Sequence, residues 1–132
     1  MLLIGSRAAR FHIPEFRLPK DWDIVATAAE AEHILRCLDD VIELADTSPS
    51  GTKVMIRLQG DASIEIEIAE FAESSRLLLG MRHQATMNVY GIPAYVADPT
   101  LLYFIKKSHI RRPIHWQKNI ADLHVLAQYA GQ

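Results

Sequence analysis

Two aspartates separated by a single residue, Asp21 and Asp23, are the side chains of this sequence best suited to chemistry. Polar and apolar residues alternate over 21–25, a pattern that predicts a strand with both carboxylates on one face, about 7 Å apart along the backbone. Like charges this close disfavour full ionisation unless a cation lies between them. Mg²⁺ binds one or two carboxylates together with substrate phosphates, so the pair is a candidate magnesium site. The alternative is an ordinary solvated strand end.

A Gly-Ser pair follows the first apolar segment, residues 2–4, which we interpret as a strand. Glycine lets a phosphate approach the backbone closely, and the hydroxyl of Ser6 with the amides of a helix start can bind phosphate oxygens. Arg7 adds positive charge. Gly5, Ser6 and Arg7 are therefore candidate phosphate-binding residues, and the alternative is a plain strand-to-helix turn.

A third acidic position lies on a later strand, residues 63–68, in which isoleucines alternate with glutamates. The isoleucines are expected to face the core, and Glu65 and Glu67 to face the other way. A third carboxylate beside the aspartate pair would complete a two-metal site. We prefer Glu67 to Glu65 because Glu67 lies nearer the end of its strand, where it could reach metals at the edge of the sheet. The alternative is a solvent-facing strand edge.

Residues 106–118 are strongly basic in a chain whose formal net charge is −2. The permanent cations of this segment are Lys106, Lys107, Arg111, Arg112 and Lys118. They are suited to clamp a triphosphate or a nucleic-acid acceptor. A solvated polar linker between two helices explains them equally well.

The elements that must position these residues can be read from periodicity. Thr27, with Glu30 three residues later, predicts a capped helix, and an apolar stripe extends that predicted helix to Ala45. Residues 53–58 and 63–68 predict an antiparallel hairpin. Asp98 and a following proline predict another helix start. The remaining predicted elements are short helices at 6–10 and 71–79, short strands at 86–90 and 94–96, and a last helix that begins near residue 115.

Composition bounds the class of protein. A chain of 132 residues that is 49% hydrophobic and 23% charged is expected to fold as one globular domain, residues 1–132. The slightly acidic charge argues against sequence-blind nucleic-acid binding. Cys37 is the only cysteine, which excludes a disulfide framework. We expect a cytoplasmic protein without a membrane segment, because no apolar run is long enough and the first residues lack signal-peptide features.

The order of these motifs resembles the nucleotidyltransferase (polymerase-beta-like) superfamily. The matching segments are Ile4-Gly5-Ser6, Asp21-Trp22-Asp23-Ile24 and Ile66-Glu67-Ile68. The spacing of Lys118, Asp122 and Leu126 is similar to the tails of small uncharacterised members from phages and bacteria. The resemblance implies an α+β fold in which helices back a small mixed β-sheet.

The resemblance also implies an activity, the transfer of a nucleoside monophosphate from an NTP such as ATP to an acceptor, which could be a small molecule, an RNA or a protein. Asp21, Asp23 and Glu67 would be catalytic and hold two Mg²⁺ ions. The residues implied to bind the nucleotide are Gly5, Ser6, Arg7, Lys106 and Lys118. Acceptor binding at the interface of a homodimer is compatible with so small a chain. The alternative is a catalytically silent module that binds nucleotide, nucleic acid or a protein partner in a toxin–antitoxin or phage-defence system.

Overall fold

The computed structural model describes residues 1–60, 62–108 and 116–131, with the backbone alone of Trp116. The strands are β1 (Leu2–Ile4), β2 (Trp22–Ala26), β3 (Ile42–Thr47), β4 (Lys53–Leu58), β5 (Ser63–Ile68), β6 (Thr86–Val89) and β7 (Ile92–Val96). The helices are α1 (Gly5–His12), α2 (Ala28–Cys37), α3 (Glu73–Gly80), α4 (Pro99–Ser108) and α5 (Trp116–Ala127). In these described segments, every helix is too short or too polar to cross a bilayer.

Within the described residues, seven strands join one mixed sheet in the order β3-β4-β5-β2-β1-β7-β6. The β2–β5 and β1–β7 pairs are parallel, and the other neighbouring pairs are antiparallel. This arrangement confirms the predicted α+β class with a mixed sheet backed by helices. The parallel β2–β5 pair brings the strand that carries Asp23 beside the strand that carries Glu65 and Glu67.

Local sequence signals explain several of these elements. The side chain of Thr27 accepts a hydrogen bond from the Glu30 amide (3.1 Å), and the Glu30 carboxylate accepts one from the Thr27 amide (3.0 Å), which confirms the capping box of α2. The Asp98 carboxylate likewise accepts a hydrogen bond from the Leu101 amide (2.8 Å) at the start of α4. In β5 the alternating isoleucines are buried, as predicted.

The predicted long helix after Thr27 is wrong in its second half. Helix α2 ends at Cys37, a 3-10 turn covers Asp39–Val41, and the chain then forms edge strand β3. β3 pairs with β4 in antiparallel register, with an irregularity between Ile42 and Leu44. The apolar stripe is also compatible with a strand, and its β-branched residues favour a strand once the β4–β5 hairpin offers an unpaired edge.

Helices α1, α4 and α5 form one side of the candidate site. α4 packs against both α1 and α5, whereas α2 packs on β2 and β5. Of the predicted basic segment, Lys106 and Lys107 lie on α4 and Lys118 lies on α5. The predicted cations Arg111 and Arg112 lie outside the described residues.

Candidate functional site

Strand pairing places the Gly-Ser turn and the glutamate strand on either side of the aspartate strand. Ile4, the last residue of β1, is the antiparallel partner of Asp23 on β2. On its other side, Asp23 is the parallel partner of Glu65 on β5. Partnered residues on neighbouring strands project to the same face, so Ile4, Asp23 and Glu65 form a row across the sheet. The Gly-Ser turn follows that row directly, at the start of α1.

Gly5 fits this position for two reasons. Its backbone has φ +71°, in the left-handed region that favours glycine. A Cβ atom built on Gly5 would lie 2.3 Å from Asp23 Oδ2, far inside van der Waals contact. The carboxylate of Asp23 is thus packed against the bare backbone at the start of α1, where Ser6 follows.

The environment of Asp23 disfavours its charge. Burial, and then the negative charges of Glu65 and Asp21, raise the pKa of Asp23 to about 6, against the opposing effect of Lys106 and Lys118. An acidic group in a polar cleft whose pKa is shifted in this way is typical of functional sites. Glu65 and Asp21 thus each lie close enough to Asp23 to repel its negative charge.

Asp21 lies one residue before β2 rather than within it. Its Oδ1 accepts a hydrogen bond of 2.8 Å from the hydroxyl of Ser63, the first residue of β5. Asp21 lines the same pocket as Asp23, so the structure places the two aspartates at one site, as the Asp-x-Asp spacing predicts.

Glu65 lies closer to Asp23 than Glu67 does. Glu67 is the register partner of Val25, two residues further along the parallel strands and away from Asp21. The hydroxyl of Ser75 donates a hydrogen bond to Glu67 Oε2 (3.2 Å). The preference for Glu67 assumes that the end of β5 reaches the metal site. Because β2 and β5 are parallel, the aspartates at the start of β2 lie instead beside the start of β5. The register therefore favours Glu65, although both glutamates line the pocket.

A pocket of about 430 Å³ lies between these acidic residues and a basic wall that consists of Arg17, Lys106 and Lys118. Arg17 makes two hydrogen bonds to the Asp122 carboxylate, at 2.9 and 3.0 Å, and Lys106 Nζ lies 3.1 Å from the same group. Burial raises the pKa of Asp122, but the hydrogen bonds from Arg17 and Lys106 outweigh it, so the pKa lies below its ordinary value. Lys118 also lines this pocket, so both lysines predicted to bind nucleotide are present.

Arg7 is placed elsewhere. Its guanidinium carbon lies 4.2 Å from the centre of the Trp22 ring, and Nη2 donates a hydrogen bond of 3.3 Å to the Lys20 carbonyl. Arg7 does not line the pocket, whereas Gly5 and Ser6 do. The structure thus brings together the Gly-Ser turn, the acids and two lysines, without the arginine that sequence reasoning added to them.

Several polar residues of the pocket were missed in the sequence. They are Arg17, Lys20, Lys53, Ser63 and Asn119. Arg17 and Lys20 lie in the proline-containing loop before Asp21, where no periodicity predicts a direction for a side chain. Lys53 offered a usable signal, because hairpin pairing of β4 with β5 makes it the partner of Glu67.

Within the described segments, no three Asp, Glu, His or Cys side chains converge as a ready-made metal site. Ser63 holds Asp21, and Lys53 Nζ lies 2.9 Å from Glu65 Oε1. The donor set nevertheless fits Mg²⁺, which prefers carboxylate oxygens. A divalent cation would also relieve the repulsion that Asp21 and Glu65 exert on Asp23.

The fold is similar to that of a solved structure. The crystal structure of an antigenic nucleotidyltransferase-like protein from Paracoccidioides brasiliensis superposes with a TM-score of 0.60 over 96% of this chain, at 16% sequence identity. This chain spans 66% of the length of that structure. At such low identity the likeness shows a nucleotidyltransferase-like fold.

Comparison at the level of sequence gives a family without an assigned activity. No curated protein matches the chain. The model of one family matches residues 1–121, a range that contains the Gly-Ser turn and the pocket residues Asp21, Asp23, Glu65, Glu67, Lys106 and Lys118. The chain therefore belongs to the family described as Domain of unknown function (DUF7277).

Proposed function

We propose that this protein is a Mg²⁺-dependent nucleotidyltransferase that moves a nucleoside monophosphate from an NTP to an acceptor. The observation that carries the proposal is the row of Ile4, Asp23 and Glu65 across three strands, with the backbone of Gly5 against Asp23. One pocket joins these acids to cationic side chains on α4 and α5. A nucleotidyltransferase-like fold supports this assignment, although a fold alone does not determine chemistry.

Asp21, Asp23 and Glu65 would hold the metal, and Glu65 takes the place that the sequence suggested for Glu67. The aspartates share one pocket, and Glu65 is the register partner of Asp23. When bound, Mg²⁺ supplies positive charge that stabilises the attacking and leaving oxygens of a phosphoryl displacement. At neutral pH Asp23 is mostly ionised, because its pKa is about 6.

The triphosphate would lie between the Gly-Ser turn and the basic wall. Ser6 and the first amides of α1 can donate hydrogen bonds to phosphate oxygens, as helix starts commonly do. Arg17, Lys106 and Lys118 line the opposite side of the same pocket and supply positive charge. The acceptor oxygen or nitrogen forms a bond to the α-phosphorus and releases its proton to water. The bond from that phosphorus to the oxygen bridging to the β-phosphate breaks, and pyrophosphate leaves with the electron pair.

Calorimetric titration of ATP, with and without Mg²⁺, tests this proposal. Wild type should bind ATP more tightly when Mg²⁺ is present, and the double variant Asp21→Asn/Asp23→Asn should lose that dependence, because it removes two carboxylate ligands. The matched control is Asp39→Asn/Asp40→Asn, which neutralises two adjacent exposed aspartates outside the pocket. The control should keep the Mg²⁺ dependence of wild type.

Two outcomes would contradict the proposal. Equal Mg²⁺ dependence in wild type and the pocket double variant would mean that these aspartates do not hold the metal. ATP binding that ignores Mg²⁺ in every protein would instead favour the catalytically silent binding module.

A further inference from the structure

Lys53 neutralises the carboxylates at one side of the pocket. It begins β4, and its Nζ lies 2.9 Å from Glu65 Oε1 and 4.0 Å from Glu67 Oε1. The Lys53 and Glu65 side chains are 39% and 35% exposed, so the pair borders solvent and can exchange partners. Lys53 thus neutralises the charge of Glu65 when no metal ion is bound.

Lys53 and a metal ion would compete for the same oxygen atoms. A divalent cation beside Asp23 would use Glu65, the register partner of Asp23. An ammonium group held on that same carboxylate would lie within about 4–6 Å of the ion, where like charges repel.

We propose that Lys53 is an exchangeable counter-ion that links metal binding to phosphate binding. Without ligand it pairs with Glu65. When a divalent cation takes Glu65, the Lys53 ammonium leaves that carboxylate and pairs with a phosphate of the nucleotide in the same pocket. This inference rests on the proposed function, since it concerns the same carboxylates.

The chemistry of lysine suits this exchange. Its ammonium group is a compact charge on a flexible four-carbon stem, so it can move between two acceptors without a change in the backbone. Lys53 lines the same pocket as the carboxylates and the residues of the basic wall, so a phosphate bound in that pocket would offer its ammonium group a second acceptor. Lys53 therefore opposes the metal when the metal binds alone and favours the nucleotide when both are present, which makes the two ligands cooperative.

Two titrations are expected to show opposite changes in affinity for the same substitution, Lys53→Met. The first measures Mn²⁺ binding alone, by the loss of the free-ion paramagnetic resonance signal. We expect Lys53→Met to bind Mn²⁺ about two- to fivefold more tightly than wild type, the range expected when a partly exposed ion pair no longer competes. The second measures binding of the non-transferable analogue α,β-methylene-ATP at saturating Mn²⁺, which Lys53→Met should weaken about three- to tenfold.

Matched variants separate the exchange from a general effect of charge or folding. Arg57→Met removes one positive charge from the same strand at an exposed residue outside the pocket, and it should match wild type in both titrations. Lys53→Gln is a second neutral variant and should repeat both changes of Lys53→Met. Lys53→Arg keeps the ion pair and should stay near the wild-type Mn²⁺ affinity.

The outcomes distinguish this inference from the proposed function. Equal Mn²⁺ affinity in wild type, Lys53→Met and Arg57→Met overturns the exchange while leaving the metal site intact. Nucleotide binding by Lys53→Met that equals or exceeds wild type overturns it as well. Absence of Mn²⁺ binding in every protein, with or without nucleotide, overturns both the exchange and the proposed function.

Discussion

Burial and charge repulsion both disfavour the ionised form of Asp23. Its carboxylate packs against the backbone of Gly5, and both Asp21 and Glu65 repel it. The pKa is therefore about 6 in the folded protein against an ordinary value of 3.8. Because the folded state holds this proton more tightly than the unfolded state, the contribution of Asp23 to stability falls as the pH rises from about 4 through 6.

A pH series of denaturation experiments should show this cost. Above pH 6 the ionised carboxylate destabilises the metal-free protein, so we expect Asp23→Asn to raise the free energy of unfolding by about 1–3 kcal/mol at pH 8. The gain should shrink as the pH falls from 6 toward 4, because Asp23 is then protonated in the folded state. Urea denaturation of wild type and Asp23→Asn across this range measures both trends.

Asp46→Asn is the control for this series. Asp46 is an exposed aspartate on edge strand β3, outside the pocket, and its neutral variant should change stability little at any pH. A gain for Asp23→Asn that stays constant from pH 4 to pH 8 would contradict the electrostatic account of Asp23.

At the scale of elements, sequence periodicity predicted what local interactions decide. The capping box at Thr27, the helix start at Asp98 and the alternation of β5 are all confirmed, since each depends on residues within a few positions. The prediction of a helix beyond Cys37 was wrong, because the apolar residues there fit either a helix or a strand. Pairing of β3 with β4, which no local signal contains, selected the strand.

Asp122 connects three separate elements, and its removal should destabilise their arrangement. The carboxylate on α5 is 3% exposed and pairs with Arg17 in the loop before β2 and with Lys106 on α4. Breaking a buried pair leaves its partners uncompensated, so we expect Asp122→Asn to lower the free energy of unfolding by about 2–4 kcal/mol at pH 7. Because the pKa of Asp122 is depressed, the same stabilisation should be lost in wild type as the pH falls below about 4.

Urea denaturation at pH 7 checks this expectation against Asp40→Asn, which neutralises an exposed aspartate in the turn after α2. A further variant, Arg17→Met, should cost less in the Asp122→Asn background than in wild type, since the two residues share one interaction. Asp122→Asn that is no less stable than the Asp40→Asn control would contradict a structural role for this cluster.

At the scale of the whole molecule, the site depends on strand neighbours that are distant in sequence. The order of motifs predicted that a Gly-Ser turn, an Asp-x-Asp strand and a glutamate strand belong together, and the sheet places β1, β2 and β5 side by side. The choice between Glu65 and Glu67 depended on the β2–β5 register, which sequence spacing does not determine. The same limit hid Arg17, whose position depends on how the loop before β2 meets that sheet.

Asp21, Asp23 and Glu65 are proposed to hold a divalent cation beside a nucleotide. Anomalous diffraction from crystals grown with Mn²⁺ and α,β-methylene-ATP tests it most directly, because the anomalous signal locates the ion independently of any assumed ligands. We predict an anomalous peak with oxygens of these three residues about 2.0–2.3 Å away, near the metal–oxygen distances of Mg²⁺. The analogue's phosphates should face the basic wall. A nucleotide-bound crystal without an anomalous peak at these carboxylates, or with the ion bound elsewhere, would contradict the account.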